Sequence, residues 1–204
     1  GRREVITVYF DTETTGLPDF NKRASDPSQP HLVQLAMVKI KDDCETIEQF
    51  NEIISPDGWE IPLEASKVHG ITQEKAQAEG IPEKSAAQAF LQFIDGMDLL
   101  VAHNLKFDKF LLRIALRRYG LLSDEQDEWW KALPTFCTME ATTPICRIPG
   151  NRVGAFKWPR LQEAHKFAFG CEFLDAHDAL ADVLACARIH RWLKASQAKE
   201  VANA

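Results

Sequence analysis

The sequence predicts an α/β fold: a mixed central sheet that begins with a three-stranded antiparallel meander and is flanked by helices. Three observations carry this prediction. β-Rich runs at residues 4–10, 32–40 and 46–54 come first, the last two separated only by the polar turn Lys41-Asp42-Asp43. Apolar residues then recur at helical spacing, as Ala87, Phe90, Leu91 and Ile94, as Phe107, Phe110, Leu111 and Ile114, and as Leu180, Val183, Leu184 and Ala187. A short apolar strand at 99–102 lies between the first two stripes. Strands followed by alternating helices and strands give a sheet covered by helices.

The first run ends abruptly in the acidic, threonine-rich residues 11–16, which read as a turn. Residues 18–31 hold three prolines among polar residues and read as a surface loop. Residues 123–131 suggest a short helix that packs Trp129 and Trp130 inward. Residues 147–166 carry Arg147, Arg152, Lys157, Arg160 and Lys166 against the single acid Glu163, and their prolines and glycines make the first part a loop. There is no repeat, linker or low-complexity tract, so one domain over 1–204 is expected, with a core of about 5–193 and a mobile C-terminal tail.

Composition narrows the function classes. With 45% hydrophobic and 26% charged residues the chain can bury a core, which excludes a disordered binder. No apolar run approaches the roughly 18 residues of a membrane span, and residues 5–10 are too short for a signal-peptide core. The five cysteines form no CxxC pair and no zinc spacing, which suggests reduced thiols and a cytoplasmic setting. A net charge of −6 argues against indiscriminate polyanion binding over the whole surface. It does not argue against a nuclease, whose acids can be neutralised by metal.

Asp11 and Glu13 stand two residues apart at the end of the first strand, and a period of two puts both carboxylates on one face. Neighbouring carboxylates repel unless a cation or proton lies between them, so a hard-metal site stands beside the alternative of a solvated turn. Asp108 follows the strand at 99–102 through His103-Asn104 and lies about 100° from Phe107 around the next helix. It either overlooks a cleft at the sheet's end or simply complements the helix dipole. Asp182 lies about 200° from Leu180, off the last apolar stripe, with His177 at that helix's start. His31, His69, His165 and His190 lack such company and read as structural or exposed.

FDTETTG at 10–16, AHNLKFD at 102–108 and AHDALAD at 176–182 resemble, in order and spacing, the three motifs of the DEDDh branch of the DnaQ-like exonucleases. These are the relatives of bacterial proofreading subunits, RNase T and Trex-type enzymes. Gln34, VHGIT at 68–72, Cys137-Thr138 and the segment 161–170 add secondary features, so the resemblance covers about residues 5–193. It implies an RNase H-like fold and metal-dependent hydrolysis of nucleic acid, DNA favoured, from the 3′ end to nucleoside 5′-monophosphates. By the family pattern Asp11, Glu13, Asp108 and Asp182 gather two Mg²⁺ or Mn²⁺, with Asp11 bridging, Glu13 and Asp182 on the first and Asp108 supporting the second. His177 takes the proton of the attacking water, a role suited to an imidazole.

For the substrate, the resemblance suggests Leu17 as a wedge beside the terminal base. Thr14, His103 and Asn104 are further expected contacts, and Arg152 and Lys157 are candidates for the strand's phosphates. Asn104 as a mere turn former, and 147–166 as an ordinary solvated loop, stay open. Expected partners are single strands or the 3′ ends of duplexes, and a polymerase or a second copy of the chain, without a membrane. An exoribonuclease or short-oligonucleotide nuclease remains an alternative, as does a noncatalytic nucleic-acid-binding partner of a polymerase.

Overall fold

The computed structural model describes residues 2–204. Strand β1 (Ile6–Thr14) runs through the residues expected to form an acidic turn, because its antiparallel partner β2 (Leu32–Lys41) pairs with it as far as Leu32. Asp11 stands opposite Ala36 and Glu13 opposite Gln34, and a bulge follows Glu13. β3 (Glu45–Ser55) continues the meander on the other edge of β2. The later strands are short and parallel: β4 (Ile81–Pro82) on β3, β5 (Leu99–Ala102) on β1, and β6 (Thr135–Cys137) on β5. The six-stranded order is β4-β3-β2-β1-β5-β6, the mixed sheet that the sequence predicts.

Both faces of this sheet are covered. β2 is buried along most of its length, which is why its sequence is nearly continuous in apolar residues. On one face Val8, Phe10, Leu35, Met37 and Leu100 pack with α3 (Glu83–Ile94) and α4 (Leu105–Arg118). On the other, Tyr9, Ala36, Val38 and Val101 pack against α8 (Ala179–Ala202). Strand parity therefore sends Tyr9, Asp11 and Glu13 toward α8, and Phe10 and Thr12 toward α4.

The helices refine the predicted stripes. In α4 the fully buried residues are Leu111, Leu112, Ile114, Ala115 and Leu116, while Phe107 and Phe110 are half-buried at their border. In α8 Leu184 is exposed, and the sheet is met by Val183, Cys186, Ala187 and His190. Small residues carry that contact because they let the helix approach closely, and an apolar-spacing rule overlooks them. In α5 (Asp127–Lys131) Trp130 is buried against Phe90 but Trp129 is half-exposed, so one indole packs inward rather than two. Helices α1 (Leu63–His69) and α2 (Gln73–Glu79) were not anticipated; at seven residues each they are too short to display a stripe. α6 (Thr138–Cys146) and α7 (Leu161–Phe169) complete the set. Past residue 193, where a mobile tail was expected, α8 continues as helix to Ala202. Among the described residues no helix is long and apolar enough to cross a membrane.

One buried carboxylate fixes the 18–31 loop. Glu83 accepts hydrogen bonds from the Leu32 N–H (3.1 Å), Arg118 (3.0 Å), the Tyr119 hydroxyl (3.0 Å) and His31 Nδ1 (2.7 Å). Arg118 also donates to the carbonyls of Gln29 and Pro30, tying the loop's end to α4. Removing one partner of a buried charged pair strands the other, at a cost of about 3 kcal/mol or more. Glu83→Ala should therefore lower the midpoint of thermal unfolding clearly, whereas Glu64→Ala, in a solvent-exposed pair with Lys67, should barely move it. Equal melting of Glu83→Ala and the parent by circular dichroism would contradict this account.

Candidate active site

Three elements end at one place. β1 and β5 are parallel, so both chains leave the sheet at the same edge. From β5 the chain turns through His103 and Asn104 into α4. Asn104 holds a left-handed backbone (φ 70°), which asparagine tolerates, and its side chain makes no helix cap. Four residues on, Asp108 is buried and accepts a 2.7 Å hydrogen bond from the Thr12 hydroxyl on the α4 face of β1. From the other side comes α8. Its cap residue Asp178 accepts from the Ala181 N–H (3.1 Å) and from Gln34 Nε2 (3.1 Å), while Gln34 Oε1 receives the Ala179 N–H (3.2 Å). Gln34 thus pins the start of α8 to the strand residue paired with Glu13, and Asp182 follows one turn later.

His177 precedes this cap in a left-handed conformation (φ 70°) and is exposed at the mouth of the cleft. Its N–H donates to Asp182 Oδ1 at 3.3 Å. One ligand atom each from Glu13, His177 and Asp182 lie within 4.8 Å of one another. Asp11, Glu13, Asp108, Asp182, Asn104 and His177 all line one cleft of about 680 Å³.

The electrostatics are unfavourable by themselves. Burial, then repulsion from Asp108 and Asp182, raises Asp11 well above the carboxylate range, and its Oδ2 is buried with no hydrogen-bond partner. Burial and the charge of Asp182 lift Glu13 to about 8. Burial lifts Asp108 to about 7 against the Thr12 hydrogen bonds, and lifts Asp182 to about 7 against the His177 N–H. An acceptor-only oxygen set with an orphaned buried atom fits a hard divalent cation, and no thiolate stands among the lining residues.

The expected substrate contacts divide. Leu17 is 84% exposed on the rim of a second, more apolar pocket of about 350 Å³, lined also by Val68, His69 and Phe107. Thr14 lines it too, but its hydroxyl is spent on the Gly16 carbonyl (2.8 Å). His103 is not free to bind substrate through its ring. Burial holds it down to about 4, so it is neutral; Nε2 donates to the Pro159 carbonyl (2.8 Å) and Nδ1 accepts from the Thr138 hydroxyl (2.9 Å). Lys157 is held by both oxygens of Glu163 (2.8 and 2.9 Å), and Arg152 stands exposed outside the cleft lining. Trp158, Arg160 and Met139 line the cleft in their place, and they carried no motif in the sequence. His69, read from the sequence as structural or exposed, borders the smaller pocket, with Nδ1 accepting the Ile71 N–H at 3.1 Å.

Comparison with known proteins matches this architecture. A family model described as "Exonuclease" matches residues 8–190. DNA polymerase III subunit epsilon of Haemophilus influenzae is 33% identical over 148 residues, 71% of this chain and 52% of that protein. The Rickettsia prowazekii subunit of the same name is 37% identical over 111 residues, 53% of this chain and 42% of that protein. The chain thus spans about half the length of these relatives. Among solved structures, E. coli exonuclease I in complex with a dT13 oligonucleotide superposes with a TM-score of 0.75 at 21% identity, covering 98% of this chain and 43% of that one. The shared fold is the RNase H-like one.

The raised carboxyl pKa values fix a sign. A carboxyl whose pKa is higher folded than unfolded favours folding while protonated, and the benefit is lost as pH rises through the folded value. For Glu13, Asp108 and Asp182 that loss runs from the ordinary carboxylate range, about 4, up to the folded values of about 7 to 8, and is complete above them. His103 and His190, each held by burial at about 4, act oppositely and withdraw stability as pH falls below the ordinary imidazole value. Three carboxyls outweigh two imidazoles over this interval, so metal-free protein should melt lower at about pH 8 than at about pH 5, each kcal/mol counting for about 2–4 °C at this size. Mn²⁺ or Mg²⁺ should restore the melting point mainly on the alkaline side, and Asp182→Asn should flatten that limb. A metal-free midpoint that does not fall between about pH 5 and pH 8 would refute the shared buried site.

Proposed function

The chain belongs to the exonuclease family, the DnaQ-like enzymes, and from that premise we propose that it is a 3′→5′ exonuclease of the DEDDh type. The observation that carries this reading is the convergence of four carboxylates on one cleft, around a buried Asp11 oxygen without a partner, with the His177 imidazole at the mouth. Asp11, Glu13 and Asp182, with Asp108 behind Thr12, are the residues that would hold two Mg²⁺ or Mn²⁺. When bound, such ions polarise the attacking water and neutralise charge on the departing 3′-oxygen.

The chain's own residues supply the rest. The terminal nucleoside enters the smaller apolar pocket, with Leu17 as the wedge and Phe107 and His69 as walls. That pocket shares Glu13 and Thr12 with the acidic cleft, so the next phosphodiester lies over the carboxylates. His177 accepts the water's proton as its oxygen bonds to phosphorus. The bond to the 3′-oxygen breaks, that oxygen leaves with the shortened strand and takes a proton from solvent, and a nucleoside 5′-monophosphate is released. Exposure of His177 lets its proton pass to water. Asn104, uncapped and facing the cleft, is suited to a non-bridging phosphate oxygen. Arg152, exposed on its loop, is free to meet the strand's backbone further out.

DNA is favoured because the relatives are named as DNA polymerase III subunits and the structural neighbour was solved with a deoxyoligonucleotide. A polymerase partner is proposed on the same ground. The five cysteines are unpaired, which supports a reducing, cytoplasmic compartment.

A 5′-labelled single strand should be shortened to a ladder, and excess EDTA should abolish the reaction; full activity in EDTA would reject the metal site. His177→Ala should lose about 10²–10⁴-fold in kcat with substrate affinity and metal dependence retained. Parental kcat in that variant would remove His177 from the mechanism. Asp182→Asn should be inactive yet melt no lower than the parent without metal, since it keeps the oxygen that accepts the His177 N–H and removes a repulsive charge. Substituting a labelled RNA strand tests the DNA preference directly.

A further inference from the structure

Trp158 is 58% exposed and forms part of the wall of the acidic cleft. Single exposed apolar side chains are ordinary on a surface, and Trp129 is one of them. What sets Trp158 apart is the rigidity of its surroundings. On its N-terminal side Lys157 bonds both Glu163 oxygens, and its N–H donates to the Ile148 carbonyl at 3.0 Å. On its C-terminal side the Pro159 carbonyl receives His103 Nε2, and the Arg160 N–H donates to Glu163 Oε2 at 2.8 Å. The strap 157–160 is thus fastened to the floor of the cleft and to the first turn of α7, while the indole between the fastenings is left open.

We infer that Trp158 is a stacking platform for an unpaired nucleobase of the substrate strand, upstream of the scissile phosphate. The inference rests on the exonuclease reading of the cleft. The smaller pocket beyond Glu13 and Phe107 is of a size for one terminal nucleoside. A strand entering it continues through the acidic cleft, whose lining beyond the shared Thr12, Glu13 and Phe107 includes Trp158 and Arg160. The Arg160 side chain is 78% exposed and is the cation nearest in sequence to the platform that is not absorbed by a close acid pair, its contact with Glu163 being a long 3.4 Å. An indole face beside a guanidinium suits a base with its phosphate, and every base offers a π-face, so the contact favours no particular sequence. Because the indole needs an unstacked base, the platform favours single strands over paired ends. It is already in position before substrate arrives, so little ordering cost is incurred on binding.

The test compares two substrates. The 4-nitrophenyl ester of thymidine 5′-monophosphate occupies only the terminal position, whereas a single strand of about ten nucleotides reaches the strap. In Trp158→Ala the KM for the strand, divided by the KM for the ester, should rise roughly 5- to 100-fold, with kcat for the strand changed less than about twofold. Trp158→Phe should recover most of the loss, which separates stacking from damage to the fold. An unchanged ratio in Trp158→Ala, with both substrates still turned over, overturns the platform and leaves the exonuclease reading intact. If the parent with Mn²⁺ cleaves neither substrate, the functional reading falls and the platform with it.

Discussion

Four carboxylates held together against their own repulsion are the constraint on which the arrangement of this protein depends. Two unit charges about 4 Å apart oppose each other by about 4 kcal/mol at an effective dielectric of 20, and oxygens of Glu13 and Asp182 lie within 4.8 Å of each other. The sheet tolerates them because both of its faces are packed: the hydrophobic clusters under α3 and α4 and under α8 share β1, the strand that carries Asp11 and Glu13. Strand parity then distributes the tasks. Asp11 and Glu13 face Asp182, and Thr12 turns the other way and holds Asp108. The price is instability of the bare site wherever its carboxyls must ionise, which is the usual relation between a strained site and its scaffold.

A second tier of residues decides where those acids sit without belonging to the set. Gln34 reaches from β2 to the Asp178 cap and the Ala179 N–H, so the start of α8 is referenced to the strand opposite Glu13. His103 does the same on the far wall. Its neutral ring joins the Thr138 hydroxyl at the head of α6 to the Pro159 carbonyl of the strap. Because each ring nitrogen has a single fixed partner, the imidazole is locked in one tautomer and orientation. A motif histidine that lines the cleft thus also holds its geometry.

The legible part of this protein was whatever obeys a period or a motif. The meander, the short strand β5, the three long helices and the acids could be read because alternation and helical spacing are local properties. The extension of β1 through Asp11 and Glu13 could not, since acidic and threonine-rich residues have poor strand character and only pairing with β2 keeps them extended. Helices α1 and α2 escaped because seven residues make too little pattern. Partnership was also hidden: Lys157 looked like a free phosphate contact, yet Glu163, six residues on in the first turn of α7, neutralises it. Trp158 was invisible for the converse reason, since an exposed aromatic has no signature until the cleft it faces is known.

On the proposed reading, an acidic chain that grips a polyanion must find its affinity somewhere other than in bulk charge. With a net charge of −6 and Lys157 bound internally, few cations remain near the cleft, so counterion release contributes little. The apolar surfaces left open at the two ends of the acidic row, Leu17 with Phe107 on one side and Trp158 on the other, are where the remainder is available. Stacking of this kind is indifferent to sequence, as the proposed stepwise removal of nucleotides requires. It also leaves the region over the carboxylates free of competing cations, so that in the proposed mechanism the positive charge that resolves their repulsion would come from the bound ions. The sparse basic surface and the crowded acids are in that sense one adaptation, with charge reserved for chemistry and shape used for grip.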